Sequence, residues 1–211
     1  MSIIDHEIDP DFVDLAFALK GQAVAVAYLD RLWGELVARL PWFENEPHAA
    51  LLPLAGVTVT DAAVYLSSRA RLILRLPRER VDEARALRGA SFDLGGPVAV
   101  EVGEALARPL VAATVIHSAF VTYAPPESPD EAAFVAACRA ELETLALAPQ
   151  MVCGKARSAQ VGGCERAGFS LMLHGLGSKD SLRLQRLGLG AARQRGCGVF
   201  VPHKAVAAVS G

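Results

Sequence analysis

Twice along this chain a stretch of period-two hydrophobicity gives way to one of period 3.6, and the two series run in the same order. Residues 12–20 (FVDLAFALK) alternate and then turn wholly apolar, the signature of a buried strand, which Gly21 ends. Over 24–40 the residues Val26, Leu29, Leu32, Trp33, Leu36, Val37 and Leu40 recur three or four apart, predicting an amphipathic helix that Pro41 stops. The stretch 41–56 reads as a loop, 57–60 and 63–67 as strand, and 69–76 (RARLILRL) as a further strand after a turn at Ser67-Ser68. Pro77 opens a helix over 78–87 with Val81, Ala84 and Leu87 on one face, and a last strand or hairpin covers 91–102. The order is βαββαβ.

After Pro109 the pattern begins again. Residues 114–123 (TVIHSAFVTY) form a strand, and a helix follows in which Ser128 is the cap, Glu131 takes the capping-box place, and Ala133, Val135, Ala137, Leu142 and Leu145 supply apolar surface. Two strands, 151–161 and 166–175, flank the turn GGC. A helix over 178–187 with Ser178 as its cap and a closing strand at 198–202 complete a second βαββαβ unit. The fold class this predicts is α+β, a tandem of ferredoxin-like (RRM-like) domains, with the first at 1–110 and the second at 111–211.

A chain of 211 residues with 52% hydrophobic content has enough apolar surface for a core, which sets disorder aside. No run of eighteen uncharged apolar residues occurs, and the start, MSIIDHEIDPDF, carries acids where a signal peptide would be basic and then apolar. The expectation is a cytoplasmic protein away from membranes. Cys138, Cys153, Cys164 and Cys197 form no CxxC pair and no zinc-type spacing, so neither a metal site nor a disulfide framework is expected. The net charge of −2 hides a division. From residue 150 onward nine basic residues stand against Glu165 and Asp180, a net of +7, which leaves −9 for the rest. A basic terminal third can hold a polyanion while the acidic part limits indiscriminate binding.

The segment 187–204 (LGLGAARQRGCGVFVPHK) concentrates the chemistry. Gly188, Gly190, Gly196 and Gly198 permit positive φ and bring backbone N–H groups close to a phosphate, and Arg193 and Arg195 are forked donors for its oxygens. A plain helix end followed by an irregular turn accounts for the same glycines. Neither GxxxxGK[ST] nor GxGxxG after a first strand is present, which excludes the usual nucleotide-phosphate loops. Lys155 and Arg157 in CGKARSAQV are further candidates for contact with a polyanion. Arg69, Arg71 and Arg75 alternate with apolar residues, so they project from one sheet face as a phosphate track or as an ordinary solvent face. Aromatics are few and no RNP-like run occurs, so a stacking platform for single-stranded bases is not predicted, and contact with shape and phosphates suits the composition better.

A tandem ferredoxin-like chain with a glycine-rich, arginine-bearing loop before its last strand resembles the CRISPR repeat-processing endoribonucleases of the RAMP superfamily. The stretch 173–204 (LHGLGSKDSLRLQRLGLGAARQRGCGVFVPHK) is similar to the carboxyl-terminal signature of their MYXAN branch. Weaker likeness covers FALKG, SSRARLILRLP and CGKARSAQVGG. The resemblance implies an endoribonuclease that cuts CRISPR repeat RNA, held as a stem-loop, with neither metal nor cofactor. The ribose 2′-oxygen attacks the adjacent phosphorus, leaving a 2′,3′-cyclic phosphate and a 5′-hydroxyl. That reaction calls for a base or orienting group, a proton donor and cations, and histidine suits the first two. The family places its active histidine on or just after the first helix, where this chain has only His48. In the branch a histidine precedes the proline of the following LP pair, and here Leu52 precedes Pro53. His203 and Lys204, at the end of the signature, are candidates for RNA contact, His174 also matches it, and His117 reads as a sheet-face histidine. Two other functions stay open: a repeat-RNA-binding subunit of a CRISPR effector complex that does not cut, and a regulatory ferredoxin-like protein for a small molecule.

Overall fold

A computed structural model describes residues 7–123 and 130–203. In chain order the elements are β1 (Ile8–Lys20), β2 (Ala23–Val24), α1 (Tyr28–Arg39), α2 (Trp42–Asn45), β3 (Ala50–Val59), β4 (Val64–Pro77), α3 (Val81–Ala84), β5 (Ser91–Phe92) and β6 (Val100–Val111). Then come β7 (Val115–Val121), α4 (Glu131–Thr144), β8 (Gln150–Val161), β9 (Cys164–His174), α5 (Ser178–Leu187) and β10 (Val201–Pro202). One antiparallel sheet runs β3-β4-β1-β6, with the two-residue strands β2 and β5 added to it, and the other runs β8-β9-β7-β10. Each sheet thus orders its four main strands alike, as the tandem ferredoxin-like reading requires. No helix among the described residues is long and apolar enough to cross a membrane.

Alternation along β1 makes the first core. Val13, Leu15, Phe17 and Leu19 face α1, whose Tyr28, Leu32 and Leu36 lie four residues apart, and Leu72 and Leu74 of β4 complete the layer. In the second sheet Ile116, Leu171 and Leu173 face Phe134, Cys138 and Leu142 of α4 and Leu184 of α5.

Several boundaries differ from the sequence reading, each for a local reason. The first helix starts at Tyr28, because Ala23 and Val24 pair with Tyr65 and Val64 instead. The supposed loop 41–56 contains the single-turn α2 and most of β3. Its Pro53 sits in a strand that pairs only with β4, and the ladder is irregular between Leu52 and Ala55, which is where a strand accommodates proline. No turn occurs at Ser67-Ser68. The chain turns at 60–63, where Thr60 and Ala63 bond each other, and Ser67 Oγ donates 2.6 Å to the Gly56 carbonyl across the ladder. Residues 78–87 alternate 3₁₀ turns with α3 rather than forming one helix. β6 runs on through Pro109, which lies past the reach of β5 on its far side. Ser128 falls outside the described residues. Asp130 caps α4 by accepting from the Ala132 N–H at 3.0 Å, so Glu131 is the first helical residue. Ser178 likewise begins α5 instead of capping it, and only Val201–Pro202 of the closing stretch pairs as strand.

The other face of the first sheet meets the second half through Arg75. Asp14 lies opposite it in the β1–β4 ladder and Ala50 in the β3–β4 ladder. Its side chain is wholly buried. Nε and Nη2 donate to the two Asp14 oxygens at 2.7 and 2.9 Å, while Nη1 donates to the carbonyls of Gln185 at 2.8 Å and Phe200 at 2.6 Å. The expected phosphate track of Arg69, Arg71 and Arg75 therefore loses its third member, because each nitrogen of that buried guanidinium has a protein partner. Around it Ala50, Leu52 and Val199 close a small apolar cluster with Ile73 and Val201. Arg75→Ala strands the Asp14 carboxylate and two carbonyls in the junction, and urea unfolding should show a loss of about 3–5 kcal/mol.

Candidate active site and nucleic-acid interface

The glycine-rich segment joins α5 to β10 and folds back on itself. Gly188 has φ 69° and donates its N–H to Leu184, ending the helix, and Leu189 then bonds the carbonyl of Gly198. Gly198, at φ 64°, runs so close to Leu189 that a Cβ there would collide with the Leu189 carbonyl oxygen. The N–H groups of all four glycines are donated within the protein: Gly188 to Leu184, Gly190 to the Glu141 carboxylate at 2.9 Å, Gly196 to Arg193, and Gly198 to Phe120 at 2.7 Å. In this structure the glycines serve backbone-to-backbone packing, and their amides are not turned outward as a cradle.

The three residues at the tip of this segment, Arg193–Arg195, lie against the first half. Gln194 Nε2 donates to the carbonyls of Phe43, Glu44 and Glu46, which end α2 and begin the loop after it. Arg195 stacks over Trp33 of α1, 3.7 Å from the ring centroid, and approaches Asp30 at 3.3 Å. Asp30 also accepts the N–H groups of Gly162 and Gly163 at 2.7 and 3.0 Å, so the β8–β9 turn is tied to the same helix. Burial alone would raise the Asp30 carboxyl. The two glycine amides and the Arg195 charge outweigh it and hold the group below its ordinary 3.8. Arg193 is largely buried. Burial first, and the nearby Arg75 charge second, pull its guanidinium down to about 10, and its Nε and Nη2 have no hydrogen-bond partner among the described residues.

The outward cations lie elsewhere. Lys155 and Arg157 are exposed on β8, and Arg69 is exposed on β4. Arg71 is half-buried and turns Nη1 back to the Ala70 carbonyl at 2.7 Å. His203 is exposed just past β10 with its ring 5.7 Å from that of His117, while Lys204 lies outside the described residues. His48 is exposed between α2 and β3, its ring edge-on to Phe12 at 6.0 Å. Arg186 of α5 sits over Phe12 at 5.6 Å and pairs with Asp9 at 3.0 Å, so a cation and an imidazole share one aromatic support. Leu52, at the position where the resembled branch has a histidine, is buried against Ala50 and Val199.

Sequence reasoning missed Asp14, Asp30, Trp33, Glu141 and Gln194, which hold the loop and the junction together. Their partners stand far away along the chain, and only the Gly162-Gly163 pair gave a local signal of exposed amides.

The family model described as Cas6 Crispr matches residues 13–205. A curated protein named CRISPR-associated endonuclease Cas6, from Myxococcus xanthus (strain DK1622), is 33% identical over 191 residues, covering 90% of this chain and 81% of that protein. Among solved structures, a RAMP protein described as binding different RNA substrates has a TM-score of 0.64 at 13% identity, over 92% of this chain and 100% of that one. Thermus thermophilus Cse3, bound to an RNA representing a pre-cleavage complex, has a TM-score of 0.52 at 14% identity, over 90% and 98%. At such identities the structural likeness speaks for the fold.

The Asp30 contact predicts an acid-sensitive junction. A carboxyl whose folded value is depressed contributes stability above its unfolded value and loses it as pH falls through the folded one. Between about pH 5 and about pH 2.5, Asp30→Asn should therefore lose less unfolding free energy than the parent chain, as measured by urea melts across that range.

Proposed function

The chain belongs to the Cas6 CRISPR family, and on that premise we propose that it is an endoribonuclease that cuts CRISPR repeat RNA into guides. The observation that carries this reading is the match over residues 13–205 together with 33% identity to a named CRISPR-associated endonuclease. The reaction draws on the RNA's own 2′-hydroxyl: its oxygen attacks the adjacent phosphorus, the 5′-oxygen leaves, and a 2′,3′-cyclic phosphate remains. His48 is the proton-transfer group. Its exposure beside Phe12, with Arg186 supported on the same ring, supports a role next to a phosphate whose charge grows in the transition state. Lys155 and Arg157 on β8, Arg69 and Arg71 on β4, and His203 after β10 take the flanking phosphates. Gly188, Gly190, Arg193, Arg195, Gly196 and Gly198 act at one remove, by shaping the segment that joins the halves.

Leu52 favours a second reading, in which the protein holds its repeat without cutting it, since the apolar side chain stands where the resembled branch has a histidine. One experiment separates the two. Labelled repeat RNA is incubated with the protein in EDTA, beside a copy with a 2′-deoxy residue at the scissile position. Cutting that survives EDTA and stops with the deoxy copy supports the endoribonuclease, and tight binding of uncut RNA supports the second reading. His48→Ala should slow cutting by about 100-fold or more with binding nearly intact in a gel-shift assay. Replacing Lys155 and Arg157 together should lower the log–log salt slope of binding by up to about two.

A further inference from the structure

The open face of the second sheet carries a group of side chains that the cleavage chemistry above does not use. In β7, His117 lies opposite Met172 of β9 on one side and Val201 of β10 on the other. His203, one strand over, is fixed by donating its N–H to the Val115 carbonyl at 3.0 Å, and the two imidazole rings stand 5.7 Å apart, tilted 49°. Arg157 on β8 shares this face through its pairing with Gly168, and its charge is felt at His117.

Three elements pack against β7. β9 presents Met172 and, diagonally, His174 to this face; β10 leads to His203; α5 covers the opposite face through Leu184. The charged and titratable groups turned toward His117 are thus His203, His174 and Arg157, all of which carry positive charge or can take it up. The His117 imidazole is lowered first by burial and then by the charges of His203 and Arg157, as expected of a cation-rich spot. Half-exposed Val152 and partly buried Met172 form an apolar floor beside it.

We propose that His117, His203 and Arg157 form a proton-linked site for a phosphodiester of the bound RNA, built by the second sheet alone. Two rings at this separation converge on one phosphate with Arg157 as a forked donor, and the phosphate supplies negative charge to these cations. Arg157 holds the anion at every working pH, and the histidines add to its grip as they protonate. The proposal rests on the reading that the chain binds repeat RNA.

The test uses the whole protein and repeat RNA made uncleavable by a 2′-deoxy residue at the scissile position. Binding is followed by fluorescence anisotropy between about pH 7.5 and about pH 5.5, and the His117 and His203 imidazoles are followed by NMR. The proposal expects affinity to rise over that range by up to about tenfold for each histidine whose midpoint rises by one unit on binding. It expects both midpoints to rise with RNA, and His117→Gln to remove the share of the pH dependence that His117 carries while binding at the alkaline end persists. Midpoints that stay fixed in a complex seen by anisotropy would overturn the site while leaving RNA binding in place. Midpoints raised as far by inorganic phosphate alone would make it a free-anion site and overturn the RNA assignment. Anisotropy unchanged at every pH would overturn the RNA-binding reading itself, and this site with it.

Discussion

A cation without access to water has to find its partners inside the protein, and Arg75 finds all of them at the seam between the two sheets. Its carboxylate partner, Asp14, comes from the neighbouring strand of its own sheet, but the two carbonyls it bonds, from Gln185 and Phe200, belong to the other half. Burying such a group is costly unless every donor is matched, so the arrangement holds only when α5 and the approach to β10 sit correctly over β4. The glycine-rich segment lies between those two points. Its fold-back, with the close pass of Gly198 by Leu189, lets the chain leave Gln185 and return at Phe200 within reach of one guanidinium.

The uneven charge of the two halves takes on a second meaning in this light. Part of the excess of arginine in the terminal third faces the acidic first half rather than solvent: Arg195 meets Asp30, and Arg186 meets Asp9. Opposite charges across the seam add to the apolar contacts there, which gather around Ala50, Leu52 and Val199 and around Phe12, Leu110, Ala112 and Leu182. What stays outward in that third includes Lys155 and Arg157 on β8 and Lys179 and Arg183 on α5.

The repeated architecture was legible because it is written in local patterns. α5 coincides with its predicted span, and the β8–β9 turn announces itself through two glycines. The first part of β3, residues 50–56, was hidden because Pro53 and Gly56 look like loop residues, and only the β4 ladder reveals that an edge strand tolerates them. Arginine placement was the least legible feature. In sequence Arg69, Arg71 and Arg75 are equivalent members of one alternating run, yet one is exposed, one bends to its own backbone and one is sealed in the seam. The difference comes from chain more than a hundred residues away, and no short-range rule carries it. The glycine amides teach the same lesson, since positive φ was foreseeable and their partners Glu141 and Phe120 were not.

The tie between Asp30 and the Gly162-Gly163 turn reaches further than the contact itself. It pins the far end of the β8–β9 hairpin to the helix that leads into α2 and His48, so β8 is anchored at its tip as well as in its sheet. The span from the exposed cations of β8 to the imidazole of His48 is then a property of the folded protein and not of the RNA laid across it. On the proposed roles of His48 and the β8 cations, the molecule carries a fixed gauge, and a strand gripped at one end of it presents a set length of chain at the other.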